Sequence, residues 1–324
     1  MSKIKDTDYL FLSMLLQAKE AHMVTRDKLE RMLAEPTFED AARIAAECGY
    51  EDMSKMDSVQ IGEALARRRT EAFEEVRDYV ADDALLDIFS LKYDYSNAKV
   101  IVKAGGYKPE IEYMLAGGAR SDVKDIISAY DNVGFTNIPE IMSDAMKDAR
   151  SVLLRTNNPQ LADIVLDKCY FAELKMLAEG VGSAQLETYV QLLIDSANLR
   201  TAVRVLLAGK HGEMLRSMLI EGGSVGEDEI MRAQTREELT NLFASTDLRG
   251  AALAASLSEL EREADNAVNS YLSGAKMSNF GPGEVVAYLS ALETEIMLLR
   301  IVLTGKRLGI ATEKLKERLR DCYV

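Results

Sequence analysis

The sequence is poor in several residue types, and each scarcity excludes a class of protein. It has no tryptophan, five prolines, three cysteines and two histidines in 324 residues. The isolated Cys48, Cys169 and Cys322 predict neither a disulfide framework nor a cysteine zinc site, and they favour a reducing, cytoplasmic compartment. No carboxylate-rich metal spacing surrounds His22 or His211, and no catalytic triad can be assembled from the sequence.

Positive charge and long apolar runs are also scarce. Lys and Arg number 39 against 53 Asp and Glu, and the resulting net charge of −14 disfavours a broad nucleic-acid surface. No window has 18 consecutive apolar residues, so no membrane-spanning helix is expected. The stretch from Tyr9 to Leu16 follows Lys3 and Lys5 as in a signal peptide. However, acidic residues interrupt that basic region, and the pattern continues as an amphipathic helix.

The residues that are abundant predict an all-α protein. Ala, Leu, Glu, Met and Arg dominate the composition, and no segment alternates with the period of a strand. Helix-start signals divide almost the whole chain, at Thr37 with Asp40, Ser58, Asp82 with Asp83, Asn158 before Pro159, Thr235 with Glu238, and Pro282. The glycine pairs that begin at Gly105, Gly117 and Gly222 follow helices and are expected to be their C-caps.

A motif occurs three times at a spacing of about 100 residues. The copies run from Asp94 to Lys103, from Asp195 to Arg204 and from Glu295 to Thr304. Each copy has an acid, then Asn or Leu three residues later, then a base two residues further, and an apolar run that closes a long helix. This period is too long for a solenoid and favours three homologous helical subdomains. The subdomain boundaries are predicted at 1–118, 119–223 and 224–324.

With these residues assembled, the chain resembles the C subunits of V-type and A-type rotary ATPases and ATP synthases, whose eukaryotic relative is the V-ATPase d subunit. The resemblance covers the whole length. It rests on the run from Phe89 to Val100, on the double-glycine links and on the ending from Lys316 to Val324. Two positions depart from the family pattern, because Ala98 stands where Leu is usual and Leu298 replaces Asn.

The resemblance implies a funnel-shaped, pseudo-three-fold body that sits on the membrane rotor ring and receives the foot of the central stalk. The implied role is non-catalytic coupling of stalk to ring during ATP-linked transport of protons or sodium ions. It implies stalk and ring subunits as partners, a place on the cytoplasmic face of the membrane, and no cofactor, metal, nucleic acid or small-molecule substrate. Whether protons or sodium ions move, and whether ATP is made or hydrolysed, is left open.

The bases of the three copies are candidates for the partner interface. They occupy matching helix positions at Lys99, Lys103, Arg200, Arg204 and Arg300. Around a pseudo-axis they could form a partial ring that faces the central shaft or an acidic partner surface. The alternative is that they are solvated helix positions, which contribute little. A solvated helix face is also expected for Arg67, Arg68 and Arg69.

Two Asp and Asn pairs in the motif are expected to be structural. Asp94 with Asn97, and Asp195 with Asn198, lie three residues apart on one helix face. That spacing suits contacts within the helix.

An enzyme is the main alternative in a different class. All-α prenyl-type enzymes hold magnesium and pyrophosphate with aspartate-rich helix segments, and Asp82, Asp83 and Asp87 could serve in this way. No second aspartate-rich motif follows, and an acidic first turn stabilised by the helix dipole is the simpler interpretation. A helical adaptor that acts alone is the third possibility.

Overall fold

The computed structural model describes residues 9–80, 82–131, 137–209, 212–275 and 282–322. Within these ranges the regular elements are helices and no strand is present, which confirms the all-α prediction. The α-helices are α1 (Leu10–Glu20), α2 (Arg26–Ala34), α3 (Phe38–Ala46), α4 (Ser58–Arg77), α5 (Ala84–Ala104), α6 (Val123–Asp131), α7 (Glu140–Thr156), α8 (Pro159–Val181), α9 (Ala184–Leu207), α10 (Glu213–Met218), α11 (Glu227–Arg232), α12 (Arg236–Leu242), α13 (Arg249–Leu253), α14 (Leu257–Ala275), α15 (Pro282–Arg307) and α16 (Thr312–Lys316). A 3-10 helix, Pro109–Met114, follows α5.

Most of the predicted helix starts lie where the capping signals place them. The side chains of Thr37, Asn158 and Thr235 each accept a hydrogen bond from a backbone N–H of the first turn, which would otherwise lack a partner. Helix α4 begins at Ser58 as expected, but its cap is the preceding residue, Asp57, whose carboxylate accepts two backbone N–H groups. The helix ends are therefore largely local properties of the sequence.

The glycine pairs differ in their roles. Gly105 ends α5 in the left-handed conformation, with φ at 74°, as predicted. The pairs that begin at Gly117 and Gly222 are not helix caps, because the C-cap residues of the preceding helices are Leu115 and Leu219. A Cβ atom on Gly118 would overlap the guanidinium of Arg69, and one on Gly223 would overlap the carboxylate of Asp195. These glycines let a loop backbone approach a polar side chain on a helix.

Three helices carry the three copies of the motif, and each packs against a different long helix. Helix α5 packs against α8, α9 against α14, and α15 against α4. Helix α15 also contacts α5, α9 and the N-terminal α1. The buried apolar side chains of the described residues form a continuous cluster from Tyr9 to Leu315. The motif helices are therefore held in a common hydrophobic core.

Candidate functional site

The motif helix α5 presents two lysines to α8. The Nζ atom of Lys99 lies 2.5 Å from an oxygen of Asp167, and the Nζ atom of Lys103 lies 3.1 Å from an oxygen of Asp163. Both acids belong to α8. These two predicted interface residues therefore join one long helix to the next.

Helix α9 repeats this arrangement toward α14. A guanidinium nitrogen of Arg200 lies 2.6 Å from Asp265, and Arg204 pairs with Glu261. Asp265 also receives Arg320 from the C-terminal segment, at 2.9 Å. The side chains of Arg200 and Asp265 are about two thirds buried, which makes the pair part of the helix packing.

The fifth predicted interface residue, Arg300, behaves differently. It is exposed on α15 and makes no hydrogen bond or ion pair with the part of the chain that the structure describes. It lines a cleft of about 1060 Å³ between α15 and α4. The structure thus brings Lys99, Lys103, Arg200 and Arg204 into internal ion pairs and leaves Arg300 available. A role for these five residues in binding a partner stays a prediction.

The acid of the first motif copy binds a loop. One carboxylate oxygen of Asp94 accepts the backbone N–H of Ser121 at 2.9 Å, and the other accepts the Ser121 hydroxyl and Arg120 Nε, each at 3.1 Å. The amide of Asn97 donates to the carbonyl oxygen of Ala116 at 3.0 Å and accepts its N–H at 2.7 Å. The two side chains therefore clamp the loop that follows α5.

The second copy builds the same clamp on the loop that follows α10. Asp195 accepts the backbone N–H groups of Ser224 and Val225, each at 3.1 Å. Asn198 exchanges two hydrogen bonds with Ile220. The expected structural role is correct, but the expected partners within the helix are wrong. These side chains point to a loop because its backbone groups lack helical or strand partners.

The third copy binds the N-terminal part of the chain. Glu295 accepts the backbone N–H of Val24 at 2.6 Å and the hydroxyl of Tyr50 at 2.5 Å. Burial raises the pKa of this carboxyl, against the opposing effect of the hydrogen bonds from Tyr50 and Val24. The Asn position holds the buried Leu298, so this copy keeps only the acid of the clamp.

A buried polar network extends the first clamp to α8. Arg120 lies 2.8 Å from Glu173, which also accepts the hydroxyl of Tyr95 at 2.9 Å. Burial raises the pKa of Asp94, although Ser121 and Arg120 oppose the shift. Sequence reasoning missed Glu173 and Arg120, because neither belongs to a motif copy.

A second missed cluster centres on Glu293 of α15. It lies 2.9 Å from Lys92 Nζ, accepts the hydroxyl of Tyr93 at 2.7 Å, and has Arg69 at 4.0 Å. Arg69 packs over the Tyr93 ring at 3.7 Å and donates to the carbonyl of Gly117. Arg69 is buried, so the expectation of a solvated face is wrong for this arginine. The cluster joins α4, α5 and α15.

The aspartates of the enzyme alternative form the start of a helix. Asp82 accepts the backbone N–H of Ala84 at 3.0 Å, and Asp83 directly precedes α5. Burial raises the pKa of Asp87, against the opposing charges of Arg120 and Arg77. Across the described ranges, no group of three His, Cys, Asp or Glu side chains is placed to hold a metal ion. None of the helices that the structure describes is long and apolar enough to cross a membrane.

Comparison with known proteins places the chain in a family. Residues 13–318 match the model of the ATP synthase (C/AC39) subunit family. The C subunit of the V-type sodium ATPase from Enterococcus hirae is 22% identical over 98% of this chain and 99% of its own length. The C subunit of the V-type ATP synthase from Thermus thermophilus is 21% identical over 96% and 98%. The C subunit of the A-type ATP synthase from Pyrococcus horikoshii is 22% identical over 97% and 90%. The chain therefore belongs to the ATP synthase (C/AC39) subunit family and is a non-catalytic subunit of a rotary ATPase.

Proposed function

We propose that the chain is the central-rotor subunit that couples the central stalk of a V/A-type rotary ATPase to its membrane rotor ring. The observation that carries this proposal is the match of residues 13–318 to the ATP synthase (C/AC39) subunit family. The contact of Glu295 with Val24 and Tyr50 fits it. The last motif helix thereby holds the N-terminal segment, much as the first two motif helices hold the loops that follow them. A body whose last motif helix is hydrogen-bonded to its N-terminal segment is suited to the transmission of torque.

The proposed body has three related helical subdomains in a pseudo-three-fold, funnel-shaped arrangement, with boundaries at 1–118, 119–223 and 224–324. Support comes from the packing of α5 on α8, α9 on α14 and α15 on α4. The clamps cross both internal boundaries, because Asp94 binds Ser121 and Asp195 binds Ser224. Neighbouring subdomains would therefore move together.

Stiffness is the property that a coupler needs most. Close-packed interiors have low compressibility and transmit strain. The ion pairs between α5 and α8, and between α9 and α14, resist sliding of one helix past the next. The buried clusters around Glu173 and Glu293 add directional contacts inside the body.

The partners in this proposal are the stalk subunits and the rotor ring, and the place is the cytoplasmic face of the membrane. The transported ion would bind to the ring, and the names of the relatives include a sodium ATPase and ATP synthases. Membership of a family of ATPase subunits argues against the magnesium-dependent enzyme and against an adaptor that acts alone.

Affinity purification of the tagged chain from gently solubilised membranes tests the proposal. Mass spectrometry is expected to find stalk, nucleotide-binding and ring subunits together with the chain. A tagged nucleotide-binding subunit of the same complex, purified in parallel, shows that solubilisation has kept the assembly intact. Recovery of the chain alone under those conditions would overturn the coupling role.

A further inference from the structure

Two of the three interfaces between long helices form ion pairs at matching helix positions. In α8, which begins at Pro159, and in α14, which begins at Leu257, the acids that meet the motif bases are the fifth and ninth residues. In α4, which packs against α15, the fifth and ninth residues are Gly62 and Ala66. The third interface therefore lacks both acids.

The third interface also has fewer basic residues than the other two. Arg300 matches Lys99 and Arg200 in the motif, whereas Thr304 stands where the other copies have Lys103 and Arg204. Arg300 is thus the remaining motif base at this interface, and α4 offers it no carboxylate at the two matching positions. Ion pairs therefore connect the helices at two of the interfaces, and the third interface has no ion pair at the matching positions.

A cleft of about 1060 Å³ opens at this position, and its lining includes Gly62, Ala66 and Arg300. Four apolar side chains at the cleft are each more than half exposed: Val59, Tyr113, Met114 and Leu308. A group of exposed apolar side chains marks an interaction surface more often than isolated ones do.

The glycine in α4 fits a close approach by another molecule. Glycine inside a helix destabilises it relative to alanine. A Cβ atom at Gly62 would meet nothing within 4 Å, so packing inside the chain does not require glycine here. Because Gly62 has no side chain, another molecule can approach the backbone of α4 closely at this point of the cleft.

We propose that the cleft between α4 and α15 binds a helix of another subunit of the rotary ATPase, and that this helix supplies the carboxylate for Arg300. This inference rests on the proposed function. The argument for an acidic, amphipathic helix is charge complementarity, because helices α8 and α14 supply that carboxylate at the other two interfaces. Arg318, also exposed and without an ion pair to any described residue, is a second unpaired arginine at the cleft. The lining also holds the paired Arg67 and Arg69 and the exposed carboxylates of Glu63, Glu71 and Glu112. Apolar side chains of the bound helix cover Val59 and Leu308.

Zero-length cross-linking of the purified complex tests this proposal. A carbodiimide joins a lysine amine to a carboxylate in contact with it, so the tagged chain is made with Arg300→Lys. Mass spectrometry of the digest is expected to recover a link from position 300 to an Asp or Glu of another subunit. The native contact between Lys99 and Asp167 must appear as an internal link in the same digest, which controls for the reaction.

Three further variants control for background and for the site. Arg155→Lys, at an exposed position on α7, reports the random links of a surface lysine. Ala66→Asp combined with Arg300→Lys places an acid opposite the new amine and is expected to replace the link between subunits with one inside the chain. Ala66→Asn with Arg300→Lys is the matched neutral variant and should keep the link to the other subunit.

Failure of the cleft proposal can be distinguished from failure of the proposed function. If the other subunits co-purify and the Lys99 link is recovered, but position 300 gives no link beyond the Arg155→Lys background, the cleft proposal is overturned. A link from position 300 to a carboxylate of the same chain, in the variant without Ala66→Asp, also overturns it. If none of the ATPase subunits co-purifies with the unmodified chain, the proposed function fails instead.

Discussion

Asn198 and Ile220 exchange two hydrogen bonds across the gap between α9 and the loop after α10. The side-chain amide donates to the Ile220 carbonyl oxygen at 2.8 Å, and the Ile220 N–H donates to the side-chain oxygen at 2.9 Å. Asn97 and Ala116 make the same pair of contacts in the first copy of the motif. An asparagine that meets both backbone groups of one residue holds a loop as a neighbouring strand would.

Removal of this asparagine should destabilise the protein. Asn198→Ala leaves a buried N–H and a buried C=O without partners, and we expect a loss of about 1–3 kcal/mol in the free energy of unfolding. Urea denaturation followed by circular dichroism measures the change. Asn241→Ala, at an exposed position of α12, should cost less than about 0.5 kcal/mol. Equal effects of the two variants would show that the clamp contributes nothing specific.

Two glycine substitutions should act in opposite directions. Gly223→Ala forces a Cβ atom into the Asp195 carboxylate and should break the second clamp, with a loss of about 1–3 kcal/mol. Gly62→Ala adds a Cβ atom in open space inside α4 and should stabilise the helix by about 0.5–1 kcal/mol. Thermal unfolding of both variants under the same conditions tests whether Gly223→Ala lowers the stability and Gly62→Ala raises it. A loss of stability in Gly62→Ala would contradict the open cleft.

Charge reversal should separate the paired arginine from the unpaired one. Arg200→Glu places a second negative charge beside Asp265 and should lower the free energy of unfolding by about 1 kcal/mol, with a smaller loss at high salt. Arg300→Glu breaks no hydrogen bond or ion pair with a described residue and should change stability by less than about 0.5 kcal/mol. Urea titrations at low and high salt measure both. If Arg200→Glu has no effect, the α9–α14 ion pair is not part of what holds these helices together.

The pKa of Glu295 predicts a pH dependence with a defined sign. Burial raises this pKa above its ordinary value of 4.5, so the folded chain binds this proton more tightly than the unfolded chain. Its contribution to stability is therefore fully present below pH 4.5 and is lost as the pH rises through the raised pKa.

Glu295→Gln removes the ionisation; its amide oxygen can still accept the N–H of Val24, and its NH2 group can donate to the hydroxyl of Tyr50. Relative to this variant, the unmodified chain should lose stability between about pH 4.5 and neutral pH. Unfolding free energies measured at intervals across that range give the difference curve. A flat difference curve would mean that Glu295 titrates alike in the folded and unfolded chains.

Much of the fold could be predicted because helices begin and end through local chemistry. Thr37, Asn158 and Thr235 cap helices through bonds to residues two or three positions away, and the chain carries that information wherever it folds. Gly105 ends α5 for an equally local reason. The glycine pairs at 117 and 222 misled the prediction, because their role depends on side chains distant in sequence.

The sequence by itself determined the all-α class, most helix ends, the three copies of the motif and the family. Tertiary structure decided what the polar residues of the motif do. Asp94 binds a loop, Glu295 binds the N-terminal segment, and Lys99 and Arg200 bind the next long helix. It also decided that Arg300 is the motif base left without a partner among the described residues. The physical reason is that a buried or paired polar group is satisfied by whatever packing brings beside it, and that neighbour lies tens to hundreds of residues away along the chain.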